Sequence, residues 1–161
     1  MQSTLVVFTD GACHNNGKPN AKAGYGIHFP NGEFEDISKP FHHPPITSPR
    51  AELYAIWKAL SLAFANPTVK HVHVFTDSEY AKNCLMEWAP MWVANGWKRK
   101  ERGKLKPVKN LDLIQPLYRL YTTKKDCIKF THVRAHTGKD DPLSKGNAVA
   151  DRLAGEGVKN N

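Results

Sequence analysis

Four carboxylates, Asp10, Glu52, Asp77 and Asp151, each sit inside or at the end of an apolar-patterned segment of this 161-residue chain. A carboxylate at the end of a buried strand costs free energy unless it is paired or coordinates a metal. Two of the four share a frame. Leu5-Val6-Val7-Phe8-Thr9-Asp10-Gly11 and Val72-His73-Val74-Phe75-Thr76-Asp77-Ser78 are both β-branched and aromatic runs closing on Thr-Asp and a small residue. If those strands lie side by side, both acids emerge at the same edge of one sheet. Hard divalent cations such as Mg²⁺ prefer oxygen ligands, and four carboxylates could supply two such ions. Two ions about 3.5–4 Å apart would clamp the attacking and leaving oxygens of an in-line phosphoryl displacement. Without metal the clustered charges repel, and at least one pKa should rise. Each acid taken singly also has a bland explanation. Asp10 before Gly11 could be a turn former, Asp77 before Ser78 a helix-start residue, Glu52 a helix-dipole partner and Asp151 a solvated helix residue.

The elements that must position these acids follow a mixed α/β order. Residues 4–10 form a buried strand ended by the turn pair Asp10-Gly11. Residues 23–29 and 33–38 form a hairpin through Pro30-Asn31-Gly32, and Pro40 to Pro49 forbids regular structure. Leu53, Trp57, Leu60 and Phe64 recur at helical spacing, so Arg50 to Phe64 is a helix capped by Ser48, with Pro49 and Glu52 in its first turn. Residues 69–76 are the next strand. Ser78 caps a helix running to about Trp88, Pro90 breaks it, and a second piece covers about 91–98. The segment 98–109 is an exposed protrusion. Leu111 to Tyr121 is helical and residues 127–133 are the last strand. His136 to Gly146 is a flexible loop and Asn147 to Glu156 the final helix.

Composition bounds the function. The length fits one domain with a real core. No apolar run approaches the roughly 18–20 residues of a membrane span, and the N-terminus carries no signal-peptide pattern. Cys13, Cys84 and Cys127 are far apart and odd in number, which argues against a disulfide framework. A cytoplasmic or other reducing intracellular compartment is expected, with nucleus and organelle left open. The net charge of +8 and pI of about 9.4 favour a polyanionic partner, nucleic acid first. Seven of the basic residues fall between Lys98 and Lys109 with one acid, Glu101, and Trp88, Trp92 and Trp97 come just before them.

Taken together, these residues resemble the type 1 ribonuclease H catalytic domain. The matching pieces are Phe8-Thr9-Asp10-Gly11, Arg50-Ala51-Glu52-Leu53, Thr76-Asp77-Ser78-Glu79-Tyr80 and Val133-Arg134-Ala135-His136-Thr137-Gly138. They continue with Gly146-Asn147-Ala148-Val149-Ala150-Asp151-Arg152-Leu153-Ala154. The pieces stand in family order over nearly the whole chain. The resemblance implies an α/β fold: a five-stranded mixed sheet flanked by helices, its first and fourth strands adjacent and parallel, with a basic protrusion. It also implies Mg²⁺- or Mn²⁺-dependent endonucleolytic cleavage of the RNA strand of an RNA–DNA hybrid, leaving 3′-hydroxyl and 5′-phosphate ends. Asp10 would bridge two ions, with Glu52 and Asp77 on one and Asp151 on the other. His136 matches the family's mobile histidine, which assists proton transfer or product release.

Substrate choice divides by strand. Only RNA offers a 2′-hydroxyl to donors and acceptors in the minor groove. By resemblance, Asn16, with Gly11 and Ser48 nearby in the motifs, serves that groove, and Glu52 contacts a 2′-hydroxyl as well as metal. Thr47 and Asn110 match the pocket that grips a DNA phosphate. Tyr80, Trp88 and Trp92 match the channel against which DNA sugars pack, while Trp97 is expected to close a small core beneath the protrusion. The protrusion, with Lys98, Arg99 and Lys100, matches the handle by which single-domain members hold the hybrid. Ser48-Pro49 replaces two amide side chains common among relatives, and the stretch from His136 to Asp151 is longer than in common bacterial members. No separate N-terminal hybrid-binding domain is expected, and the protein should act as a monomer. The alternatives are the same activity as a domain of a reverse transcriptase or viral polyprotein, or a non-catalytic hybrid-binding module.

Overall fold

The computed structural model describes residues 4–135 and 137–161. Strands β1 (Thr4–His14), β2 (Lys22–His28), β3 (Ile37–Phe41), β4 (His71–Thr76) and β7 (Ile128–His132) form one sheet in the order β3-β2-β1-β4-β7. β2 and β3 run antiparallel to β1 in a meander, while β4 and β7 are parallel to it. Parallel pairing needs crossover connections, and helices supply them. α1 (Ser48–Phe64) links β3 to β4. α2 (Glu79–Asn83), α3 (Ala89–Ala94) and α4 (Leu111–Thr123) lie between β4 and β7. α5 (Pro142–Lys159) closes the chain.

Alternation along β1 divides the core. Leu5 and Val7 face the main core with Ala51, Leu53, Ile56 and Leu60 of α1. Phe8 faces the opposite side, where Phe75, Val133 and Ala150 of α5 enclose it. Both sheet faces are therefore covered, which is why β1 and β4 read as nearly continuous apolar runs. Among the described residues, no helix is long and apolar enough to cross a membrane.

Two glycines set how closely the helices approach. A Cβ on Gly11 would lie 2.5 Å from the backbone nitrogen of Glu52, and one on Gly26 would lie 2.4 Å from the carbonyl oxygen of Ala150. Helix α1 thus meets β1 backbone to backbone beside Asp10. Helix α5 does the same on β2, at the residue paired with Asp10. Gly11→Ala is expected to destabilise the fold by about 1–3 kcal/mol through overpacking, and to lower activity by pushing Glu52 away. Urea denaturation with a parallel cleavage assay checks both.

Several boundaries differ from the sequence expectation. β1 does not turn at Asp10-Gly11 but continues paired with β2 to His14, because Gly11 serves close packing rather than a bend. Pro40 lies inside β3, paired opposite Gly24, and its missing N–H is tolerated because β3 is an edge strand. Thr47, not Ser48, caps α1: its hydroxyl accepts from Arg50 N–H at 3.3 Å. Glu52 then falls beyond the first turn, so the helix N-terminus is not what accommodates it. Pro90 does not break its helix. A wide π-helical turn at Cys84–Trp88 lets Ala89 N–H bond to Cys84 O, and Pro90 enters the first turn of α3, where no N–H is needed.

The protrusion is an ordered two-stranded hairpin, β5 (Lys98–Glu101) and β6 (Lys104–Pro107). Arg102 and Gly103 join the strands with φ of 52° and 78°, the both-positive pattern of a type I′ turn. The last helix starts at Pro142, ahead of the expected Asn147. Asp141 caps it by accepting from Ser144 N–H at 3.0 Å, with Pro142 in the first turn. The loop before it is correspondingly shorter, and Asp151 stands well inside a helix.

Candidate active site

The parallel pairing of β1 with β4 ends at Thr9 opposite Thr76. Asp10 and Asp77 are the next residues on the two strands, so both stand where the parallel pairing ends: Asp77 just past the carboxyl end of β4, and Asp10 within β1, which runs on to His14 against β2 alone. Glu52 arrives over Gly11, and Asp151 arrives on α5 one residue after the Ala150 that packs on Gly26. One carboxylate oxygen from each of Asp10, Glu52 and Asp77 lies within 4.8 Å of the other two. Asp151 is not one of these three, but its carboxyl acts on both Asp10 and Glu52 and raises them. The acids come from β1, α1, the end of β4 and α5, far apart in sequence, and the fold brings them together.

The burial of this cluster is severe. Asp10 is 3% exposed and Glu52 7%. Desolvation pushes the Asp10 carboxyl far above the usual range, and the charge of Glu52 and a hydrogen bond with it push further, followed by Asp77. Burial raises Glu52 as well, while its hydrogen bond with Asp10 partly offsets that rise. With no cation the centre therefore retains protons at neutral pH, as expected for crowded carboxylates. Gly11 N–H donates to Asp10 Oδ1 at 2.9 Å, but Glu52 Oε2 is buried with no hydrogen-bond partner among the described residues. An unsatisfied carboxylate oxygen among like charges is what a hard cation resolves, so the residues fit a divalent-metal site.

The residues expected to meet the substrate come from the turn after β1, the start of α1 and the segment from α2 to the start of α4. Asn16 is exposed in the turn after β1, and Ser48 is half-buried at the start of α1. Thr47 and Asn110 are joined through Arg50, which is 2% exposed. Its guanidinium grips Asp112 at 2.7 and 2.8 Å and donates to Asn110 Oδ1 at 3.3 Å and to the carbonyl oxygens of His43 and Pro44. Arg50 holds Asp112 below its usual pKa range by that hydrogen bond. Asn110 Nδ2 donates in turn to Tyr80 Oη at 2.9 Å, tying this pocket to the aromatic run. Tyr80 to Trp88 and Trp88 to Trp92 are 5.9 and 6.0 Å apart between ring centroids. Together with Arg99 and Lys109, these three rings line one hollow. Trp97 packs edge-on against Tyr118 at 5.8 Å, closing the small core expected of it.

The hairpin register separates the handle residues. Directly opposed residues share a face, so Lys98, Lys100, Leu105 and Pro107 form one side, and Arg99, Glu101, Lys104 and Lys106 the other. Arg99 pairs with Glu101 and also lines the tryptophan hollow. Lys98 and Lys100 are therefore separated from Arg99, a division that a charge count cannot reveal.

His136 lies outside the described residues. Sequence reasoning missed a hollow that Arg134, Lys139 and Lys145 line together with Asn147 and Asp151. Asn147, 3% exposed, donates from Nδ2 to Asp77 Oδ2 at 3.2 Å. Its available signal is an amide four residues before Asp151, hence on the same helix face. Arg50 stands two residues before Glu52, and a lone arginine in a helix start gives no sign that it is buried.

A carboxylate centre at the carboxyl ends of parallel strands, in a mixed sheet covered by helices on both faces, defines a metal-dependent nuclease of the α/β class. The family model for RNase H matches residues 2–159. A probable ribonuclease H of Acanthamoeba polyphaga mimivirus is 40% identical over 89% of this chain, which spans 62% of that protein. A ribonuclease H of Polaromonas sp. is 36% identical over 98% of this chain and 90% of its own length. Among solved structures, the PFV RNase H domain superposes with a TM-score of 0.77 at 28% identity, covering 96% of this chain and 94% of that one. The chain belongs to the RNase H family. Its class of activity is accordingly ribonuclease H, metal-dependent endonuclease action on RNA–DNA hybrids, and the carboxylate cluster is the metal-binding part.

Proposed function

We propose that the chain hydrolyses the RNA strand of an RNA–DNA hybrid at the Asp10, Glu52, Asp77 and Asp151 centre, with Mg²⁺ as its physiological ion and Mn²⁺ as a substitute. The observation that carries this is the convergence of three ligating oxygens within 4.8 Å, one acid having a buried oxygen without a partner among the described residues. In the reaction a water oxygen bonds to phosphorus and the bond from phosphorus to the 3′ oxygen breaks. The water's proton is lost and the 3′ oxygen takes one up, giving 3′-hydroxyl and 5′-phosphate ends. Bound divalent ions supply water acidity and stabilise charge on the leaving oxygen.

The chain's own residues do the rest. Asp10, Glu52, Asp77 and Asp151 would hold the divalent ions, with Asp10 central among them, and Gly11 N–H orients Asp10 by donating to its Oδ1. Asn16 and Glu52 recognise RNA through minor-groove contacts that include a 2′-hydroxyl, with Gly11 and Ser48 lining the approach. Thr47 and Asn110, held by Arg50, receive a phosphate of the DNA strand. Tyr80, Trp88 and Trp92 pack against its sugars. The hairpin supplies non-specific attraction through its tryptophan-side face, while Lys98 and Lys100 on the opposite face add to the general field. His136 serves proton transfer or product release. The protein acts as a monomer, and its free thiols Cys13, Cys84 and Cys127 suit a reducing compartment.

The test is a cleavage assay on four substrates: RNA–DNA hybrid, double-stranded RNA, DNA duplex and single-stranded RNA, each with Mg²⁺ or with chelator. Cleavage confined to the RNA of the hybrid, and abolished by chelator, is expected. Equal cutting of double-stranded RNA would refute the strand assignment, and cutting in chelator would refute the metal assignment.

A further inference from the structure

Asn147 is buried beside the centre, yet only half of its amide is satisfied. Nδ2 donates to Asp77 Oδ2, while Oδ1 is buried and has no hydrogen-bond partner among the described residues. The orientation of the amide follows from its neighbour. Nδ2 faces the Asp77 oxygen it donates to, and turning the amide over would set two oxygens against each other. Oδ1 is thereby directed away from Asp77. The same residue lines the hollow shared with Asp151, Ser144, Thr137, Arg134, Lys139 and Lys145, and none of the cationic side chains donates to Oδ1. Those hydroxyls do not reach Oδ1, because Thr137 Oγ1 donates to Ser144 Oγ at 2.8 Å and Ser144 Oγ donates to Asp141 Oδ2 at 2.9 Å.

A buried acceptor without a donor is costly. Water polarised by a cation is a donor with little capacity to accept, so the water of a divalent ion held by the carboxylate cluster would satisfy Oδ1. We propose that Asn147 is a positioning residue for the metal centre. Its amide N–H engages Asp77 Oδ2 and so leaves the other oxygen to face the ion, and its carbonyl oxygen accepts from a water carried by that ion. Because Asn147 and Asp151 are one turn apart on α5, the residue also couples the helix that delivers Asp151 to the strand that delivers Asp77. The inference rests on the metal-binding role of the cluster proposed above.

Removing an outer hydrogen-bonding partner of a metal ligand typically lowers metal affinity about 10–100-fold. Asn147→Ala should therefore weaken Mg²⁺ binding, measured by calorimetry without substrate, by about tenfold or more. It should also lower kcat at saturating Mg²⁺ while leaving the KM for hybrid within about twofold, since phosphate and groove contacts are untouched. Asn147→Leu keeps the buried volume and removes both polar ends, and it carries the test if the alanine variant folds poorly. A merely structural residue predicts altered denaturation midpoints with unchanged Mg²⁺ affinity. Mg²⁺ affinity and kcat within about twofold of wild type in the folded variant would overturn the proposal. Wild-type protein that binds no divalent ion would overturn the metal-binding role and this inference with it, whereas wild-type binding that Asn147→Leu leaves intact overturns this inference alone.

Discussion

Asp10→Asn is expected to abolish hybrid cleavage in Mg²⁺ and, in chelator, to make the protein more stable than wild type. The activity loss follows from removing the central acid of the centre. Metal stabilisation of the reacting charges is worth several kcal/mol, and each ~1.4 kcal/mol is tenfold, so a fall of about 10³ or more is expected. Cleavage within about tenfold of wild type would sink the assignment.

The stability gain follows from the sign of the pKa shifts. Asp10 and Glu52 are raised above their ordinary values, by burial first and then by the acids around them. Below about pH 4 both acids are protonated, folded or unfolded, and contribute no difference. As pH rises past that point the unfolded chain releases its protons while the folded centre keeps them, so stability falls with pH up to the raised folded values. At neutral pH the amide removes this burden. A gain of at least about 1 kcal/mol, or roughly 2–4 °C in Tm for a chain of this size, is expected. Mg²⁺ narrows the gap, because a ligand that binds only the folded state stabilises the wild type. Thermal denaturation at about pH 4 and pH 7, with and without Mg²⁺, checks every part. An Asp10→Asn gain equal at both pH values would contradict the electrostatic account.

The second large effect concerns the basic hairpin. Replacing Lys104, Lys106 and Lys109 by alanine is expected to weaken hybrid binding about a hundredfold near 0.1 M salt and to flatten its salt dependence by about 0.9 for each phosphate no longer neutralised. Replacing Lys98 and Lys100 should cost much less. The reason is the register: Lys104 and Lys106 share a face with Arg99, and Arg99 and Lys109 line the hollow formed by Tyr80, Trp88 and Trp92. Arg99 is left in place because it also pairs with Glu101 and donates to Pro107 O at 3.2 Å, so its removal would disturb the hairpin itself. Equal weakening from both sets would mean that the hairpin acts as an undirected positive field, and an unchanged salt slope would remove it from the interface altogether.

The type 1 motifs and their order lead from sequence to the observed fold, and the shared Thr-Asp frames lead to the adjacency of β1 and β4. Those signals are local or periodic: a strand repeats every two residues, and an acid closing an apolar run is conspicuous because burying it is costly. Helix starts are less legible. Asp141-Pro142 is an ordinary cap and first turn, but the flanking lysines and Ser144 resemble loop composition. Cys84–Trp88 gives no warning of a π turn, since the wider turn depends on Pro90 being carried into the next helix rather than on any residue within it.

The sequence by itself determined which residues could do chemistry: four carboxylates, a cluster of tryptophans and a basic segment, each set by residue type. Tertiary structure decided how they work together. Gly11 and Gly26 let two helix backbones close on β1 and β2, and only that approach places Glu52 and Asp151 beside Asp10. The burial that follows shifts the acids and leaves Glu52 Oε2 without a partner among the described residues. Hairpin register divides Arg99 from Lys98 and Lys100, and Asn147 reaches Asp77 across 70 positions of chain. Burial, register and contact at that separation are properties of packing, and no local pattern of residues encodes them.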